Sequence, residues 1–358
     1  MQNIYIHFKM KKTTILNSIL SILALLALTS CKSKYTTIPT DFSYGNLTGE
    51  VKSMKQQTYE LKRVNDSLKI SKRILLTGEL DKNALLEGDD LNLTQIMYNQ
   101  DGSLHQSLTL SPGDTIESKI DFTYKKGRRS RVNTYKRDLT VIRYTNYNKD
   151  FAKVRYTPLN QTSEIVYNYG KDLVTEIQYF YSKKFLTINF IFESGNLSKR
   201  IFLDENGKLM FEDHFTYNEN GDLIRFATKI GEVVRSEEIR VYDELNRIKQ
   251  KDIYQYENDG DYLESETIQY RYFGRTKLVS EKRIITGGAH KKGELEVIYY
   301  TYYENKQVRS KVSDRKTSYF YEYVFDEKGN WIEKNIFKYL SINNKEPIYK
   351  IKREIEYY

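Results

Sequence analysis

Few of the 358 residues are of types that carry chemistry by themselves, and their spacing is poor for it. The four histidines, His7, His105, His214 and His290, stand apart, and Cys31 is the one cysteine, so neither a zinc site nor a disulfide is expected. The 48 acids offer many partners for the carboxylate pair of a glycosidase, about 5–10 Å apart, without singling out any two. GxSxG, HExxH and phosphate-loop patterns are absent. The stretches YNENGDL and YENDGDYLESE are dense in oxygen ligands but lack the twelve-residue spacing of a calcium loop with its closing glutamate. No cofactor, no metal and no catalytic residue is therefore assigned.

Tyrosine remains, with 32 copies. Tyr-x-Tyr pairs recur, and a spacing of two puts both rings on one face of a strand. Each ring offers an apolar face and a hydroxyl, so rows of them either bind sugars or peptides or pack a sheet. The candidate ligand-facing or packing aromatics are Tyr254, Tyr256, Tyr270, Tyr272, Tyr319, Tyr321 and Tyr323. The uniformly aromatic face of YFYEYVF, residues 319–325, favours burial.

The elements that position these rings are strands. Few prolines, little alanine and many Ile, Val, Thr, Tyr and Phe disfavour helices after the first thirty residues. A turn signature recurs in YNQDGSL (from Tyr98), LDENGKL (from Leu203), YNENGDL (from Tyr217), YDELNRI (from Tyr242), YENDGDY (from Tyr256) and FDEKGNW (from Phe325). An early Asp or Asn accepts backbone amides round the turn. The left-handed conformation falls to Gly102, Gly207, Gly221, Asn246, Gly260 and Gly329. On this pattern Trp331 is a packing residue of a late hairpin, and Asp326 a turn cap. Turns every 12 to 14 residues, or twice that, give on the order of twenty strands, more than a flat open sheet holds. The expected fold is all-β, a long antiparallel meander of hairpin repeats forming a curled or spiral sheet.

The stretches YDELNRIKQ, YNENGDLIRF and FDEKGNWIEK resemble YD repeats, the Tyr-Asp units of RHS-type proteins, in the short lipoprotein setting common among Bacteroidota. The resemblance covers most of residues 91–337 and implies hairpin-repeat architecture. RHS proteins wrap such repeats around a toxin and end in a core motif and a payload. This chain shows no such motif and finishes on strand-like IKREIEYY, so encapsulation is not carried over.

Residues 1–30 contain no acid and run from Lys9, Lys11 and Lys12 through an apolar stretch, Ile15 to Leu28, to small polar residues, the order of a secretory signal. Met10 offers an alternative start. Leu28-Thr29-Ser30-Cys31 resembles the bacterial lipobox, which implies cleavage before Cys31 and its acylation with palmitate-like chains; with Lys32 following, the resemblance points to the outer membrane, on either face. Residues 31–40 read as lipidated cysteine and tether, and 41–358 as one elongated β-repeat domain. The net charge of +9 falls to +6 without the three signal lysines, and the bases are interspersed with acids, so no nucleic-acid partner is expected. The function expected is that of a membrane-anchored envelope lipoprotein binding a glycan or an envelope protein. Its alternatives are a carbohydrate-active hydrolase with unrecognised carboxylates, and a structural protein that self-associates through an open sheet edge.

Overall fold

The computed structural model describes residues 47–358 except 66, 74–83, 87–93, 111–114, 138, 147–148, 157–159, 290 and 342–343. The signal, the tether with Cys31, and His290 lie outside the described residues.

Alternating apolar and polar residues between turn signals produce strands throughout. The first group is β1 (Val51–Val64), β2 (Ser67–Arg73), β3 (Thr94–Tyr98), β4 (Leu104–Leu110), β5 (Ile116–Lys125) and β6 (Arg128–Lys136). A separate hairpin of β7 (Leu139–Asn146) and β8 (Lys149–Tyr156) follows. The wall resumes with β9 (Asn160–Tyr169), β10 (Leu173–Phe180), β11 (Lys183–Glu193), β12 (Asn196–Leu203), β13 (Leu209–Tyr217), β14 (Leu223–Ile230), β15 (Val233–Tyr242) and β16 (Ile248–Tyr256). It ends with β17 (Tyr262–Tyr272), β18 (Val279–Gly288), β19 (Lys291–Tyr302), β20 (Val308–Ser313), β21 (Ser318–Phe325), β22 (Trp331–Ser341) and β23 (Asn344–Tyr357).

The sheet closes, and the expected curled or spiral sheet is corrected to a barrel. β1 pairs with β23 along Val51–Glu60 on one edge and with β3 along Ser53–Gln56 on the other. β6 pairs with β9 across the inserted hairpin. Of the 21 strands in the main sheet, all but β2 form the ring, which makes it a twenty-stranded antiparallel barrel. Hairpin periodicity specifies each strand's neighbour but not that the first and last strands meet; closure supplies partners for both remaining edges. The bare edge on which self-association rested is thereby lost from the ring. Among the described residues, bare edges belong to β2 and to the β7–β8 hairpin.

The turns are built as their sequences demand. The Asp243 amide donates to Arg247 O at 2.8 Å and the Asn246 amide to Asp243 O at 3.0 Å, while Asp243 Oδ1 accepts the amides of Leu245 and Arg247. Gly207 has φ +82° and Asn246 +57° at the left-handed position. One further turn of this shape, 303–307, carries Lys306 there at +67° and has no early Asp or Asn, so the motif overlooks it. Gly287 and Gly288 lie in β18 and Gly293 in β19; at Gly288 a Cβ would stand 2.9 Å from Leu263 O.

The tyrosine that opens a repeat has a second role. Tyr242, Tyr272 and Tyr302 each donate their hydroxyl to a carbonyl at the start of the preceding strand, Leu223 O, Ile248 O and Val279 O, at 2.7–3.0 Å. Successive hairpins along one rim are thus stitched together.

Register divides the wall into two faces. One carries Met54, Ile96, Val132, Ile188, Ile268 and Ile351, all buried. The other carries cross-strand or near-neighbour ion pairs, among them Lys119–Asp121, Arg131–Glu164 and Lys350–Glu333. Side chains inside a closed curve converge and shield one another while those outside splay apart, so the crowded face is the inner one. Charges recur round the outer face where a lipid-embedded barrel carries an apolar band about 25 Å tall. A ring of twenty strands encloses more space than its own side chains fill, and each hydrophobic cluster draws its strand residues from neighbours in the wall, not from opposite sides.

Candidate functional site

The seven tyrosines singled out by spacing do not share one surface. Tyr254 pairs with Ser265 on β17, five residues from Tyr270, so the two tyrosines lie on opposite faces. Tyr254 and Tyr256 are therefore outside, and Tyr256 lines a shallow recess with Glu237, Glu232, Asp259 and Gly260. Tyr270 and Tyr272 are inside.

Tyr319 and Tyr321 are fully buried on the inner face, packed with Trp331, Ile336 and Ile351. Ala84, in the connection from β2 to β3, is buried against this cluster with Leu85 and Leu86 beside it. Tyr323 stacks on Phe325 and meets Trp331 edge-on. Trp331 carries Arg353 over its ring at 3.4 Å and Lys334 at 4.5 Å. Its neighbour Asn330 is buried, donating to Thr48 O at 2.8 Å and to Tyr357 Oη at 2.6 Å. The region around Trp331 is thus where the ring is fastened, and its rings offer little surface to a ligand.

A partly open aromatic surface lies on β17–β19. Tyr270 and Tyr272 stack with centroids 6.5 Å apart. Register carries the same face to Lys282 and Ile284 on β18, and to Ile298, Tyr300 and Tyr302 on β19. Burial pushes the hydroxyls of Tyr270 and Tyr300 up to about 12, so both are neutral donors at neutral pH. Charges interleave with these rings. Glu238 binds Arg240 at 2.6 Å and Lys251 at 2.8 Å; Glu296 binds Lys316 at 2.7 Å and the Ser313 hydroxyl at 2.8 Å. The result is a wall of ring faces, hydroxyls and fixed charges.

Spacing alone overlooked the buried ionisable groups. Glu176 is almost wholly buried between Tyr167 and Ile188, and accepts from Gln178 Nε2 at 2.5 Å; burial raises its pKa above the ordinary carboxylate range. Asp213 is bound by Arg200 at 2.6 Å and by the Thr228 hydroxyl at 2.7 Å. A charged residue alternating with aromatics in one face register, as in Arg200–Phe202 and Asp213–Phe215, is the one signal that could have found them. Glu176 and Asp213 stand on β10 and β13, three strand spacings or roughly 14 Å apart, too far for a glycosidase pair. Among the described residues no three His, Cys, Asp or Glu converge as a metal site would require. His214 faces outward beside Glu212 at 3.1 Å.

No family model matches the chain, and no curated protein matches it. Among solved structures it is similar to a porin-like protein from Bacteroides uniformis ATCC 8492, with TM-score 0.34 and 9% identity over 90% of this chain and 100% of that one. TcdB2-TccC3 aligns with TM-score 0.32 and 11% identity over 81% of this chain and 15% of that chain. A porin-like protein from Bacteroides vulgatus ATCC 8482 aligns with TM-score 0.22 and 9% identity, covering 87% and 99%. These likenesses are slight. The barrel rests on this chain's own strand pairing, and no family is assigned.

Proposed function

We propose that the chain is a lipid-anchored lipoprotein of the outer membrane whose closed, YD-type hairpin wall binds a glycan on its inner tyrosine surface. The observation that carries the binding reading is the half-buried row Tyr270, Tyr272, Tyr300 and Tyr302, set among fixed charges on the inner face of β17–β19. Such rings supply apolar faces for sugar C–H groups while their hydroxyls, and the ion pairs beside them, supply polar contacts. The anchoring is supported by the acid-free leader and the lipobox-like Leu28 to Cys31. The charged outer face supports a wall held beside a membrane by acyl chains and not spanning it. A hydrolase is disfavoured by the separation and full engagement of Glu176 and Asp213.

The test is a glycan array probed with the full mature protein in detergent, beside the Tyr270→Ala/Tyr300→Ala variant. Binding by the parent that falls at least tenfold in the variant supports the reading. A silent array, or a variant that binds equally, removes it. Cys31→Ala is expected to abolish membrane fractionation; unchanged fractionation would sink the anchor.

A further inference from the structure

We infer that the inner tyrosine wall takes acidic sugars, and that Lys282 is the residue that reads their anionic group. This deepens the glycan reading and rests on it. Lys282 lies in the middle of the surface, between Tyr270 on β17 and Ile298 on β19, with Tyr272 and Tyr300 on the same face. Two of the charges round it are engaged: Glu296 by Lys316 and Ser313, and Lys251 by Glu238. Lys282 is not. Among the described residues no carboxylate reaches it at ion-pair distance, although Glu266 and Glu296 face it from β17 and β19.

The ammonium is half buried, and burial lowers its pKa despite those two acids. A cation withdrawn from water among aromatic rings and left without a partner is costly for a fold. A ligand carboxylate, sulfate or phosphate restores the missing partner through a charge-assisted hydrogen bond. The adjoining stack of Tyr270 and Tyr272 meanwhile receives the apolar face of the sugar ring. Glu266, also without an ion pair, sits beyond Ile268 along β17, where it limits how far an anionic chain can extend. The chemistry selected is one anionic group beside an apolar ring face, as in a uronic acid.

The experiment compares oligogalacturonate with a neutral galacto-oligosaccharide of equal length by calorimetry. It uses full mature protein in detergent, Lys282→Met, Lys282→Arg and Tyr270→Ala/Tyr300→Ala, each checked by its melting curve. The parent is expected to prefer the acidic chain about tenfold or more, the scale of a hydrogen bond to a charged group. Lys282→Met should remove that preference without weakening the neutral ligand, Lys282→Arg should keep it, and salt should weaken only the acidic ligand. Equal affinities in the parent, or a preference that survives in Lys282→Met, overturn the role of Lys282 while leaving glycan binding in place. If neither sugar binds the parent, or the tyrosine variant binds both as well as the parent, the tyrosine wall falls as the site and this inference falls with it.

Discussion

Gln56 and Arg353, 297 residues apart, meet on the inner face of the seam: Arg353 Nε donates to Gln56 Oε1 at 2.9 Å, with both side chains buried. The same guanidinium sits over the Trp331 ring, so β1, β22 and β23 converge on one cation. Gln56→Leu keeps most of the volume and removes the acceptor. It should cost roughly 1–3 kcal/mol, read from the shift in denaturant midpoint. An unchanged midpoint would show that this contact does not hold the seam.

Arg200 and Asp213 pair at 2.6 Å under Phe202 and Phe215, with side chains 12% and 4% exposed. Asp213→Ala strands the guanidinium and should destabilise by about 3–5 kcal/mol, whereas Arg200→Met combined with Asp213→Leu should recover most of the loss. If the single and double variants melt together, the pair is no more than packing volume.

Glu176 gives the fold a pH dependence of known sign. Its folded pKa is raised, chiefly by burial, so the folded state holds the proton longer than the unfolded chain does. Its contribution is fully present below the unfolded value, about 4.3, and is lost as pH rises through the folded value. Glu176→Gln should therefore raise stability at pH 7 and flatten the profile above pH 4. A parallel shift at every pH would locate the slope elsewhere.

Lys306 occupies a left-handed turn position at φ +67°. Lys306→Gly should stabilise by roughly 1 kcal/mol, and Gly207→Ala should cost about as much, because no atom lies within 4 Å of the added Cβ and only backbone strain remains. Thermal shifts of opposite sign test the pair together; two shifts of the same sign would discard the assignment.

The local grammar of the fold was legible because turns are decided by neighbours in sequence. Asp243 and Asn246 need only each other's backbone, and Trp331 follows its turn as Leu104 and Leu223 follow theirs. Closure was not legible, since the Gln56–Arg353 contact leaves no periodic trace. Nor did spacing reveal which face Tyr254 and Tyr270 take. A single bulge inverts parity, and β16 and β17 pair with one between Gln255 and Tyr256. Lys282 was invisible for another reason: its standing depends on which acids fail to reach it, and 48 acids conceal that in a sequence.

The seam also sets an order of events. While the chain is being synthesised, each hairpin can form on its predecessor, but the edge of β1 that will hold β23 has nothing to bond until residues 344–357 exist. Fastening the ring is the last step and joins the most distant segments, the kind of contact that forms slowly. A polypeptide halted before Asn344 is a strip with two open margins, the geometry that recruits wrong partners. Only a chain that includes residues 344–357 can close the ring, so copies lacking them carry two open ring margins by which proteases and chaperones can tell them from closed ones.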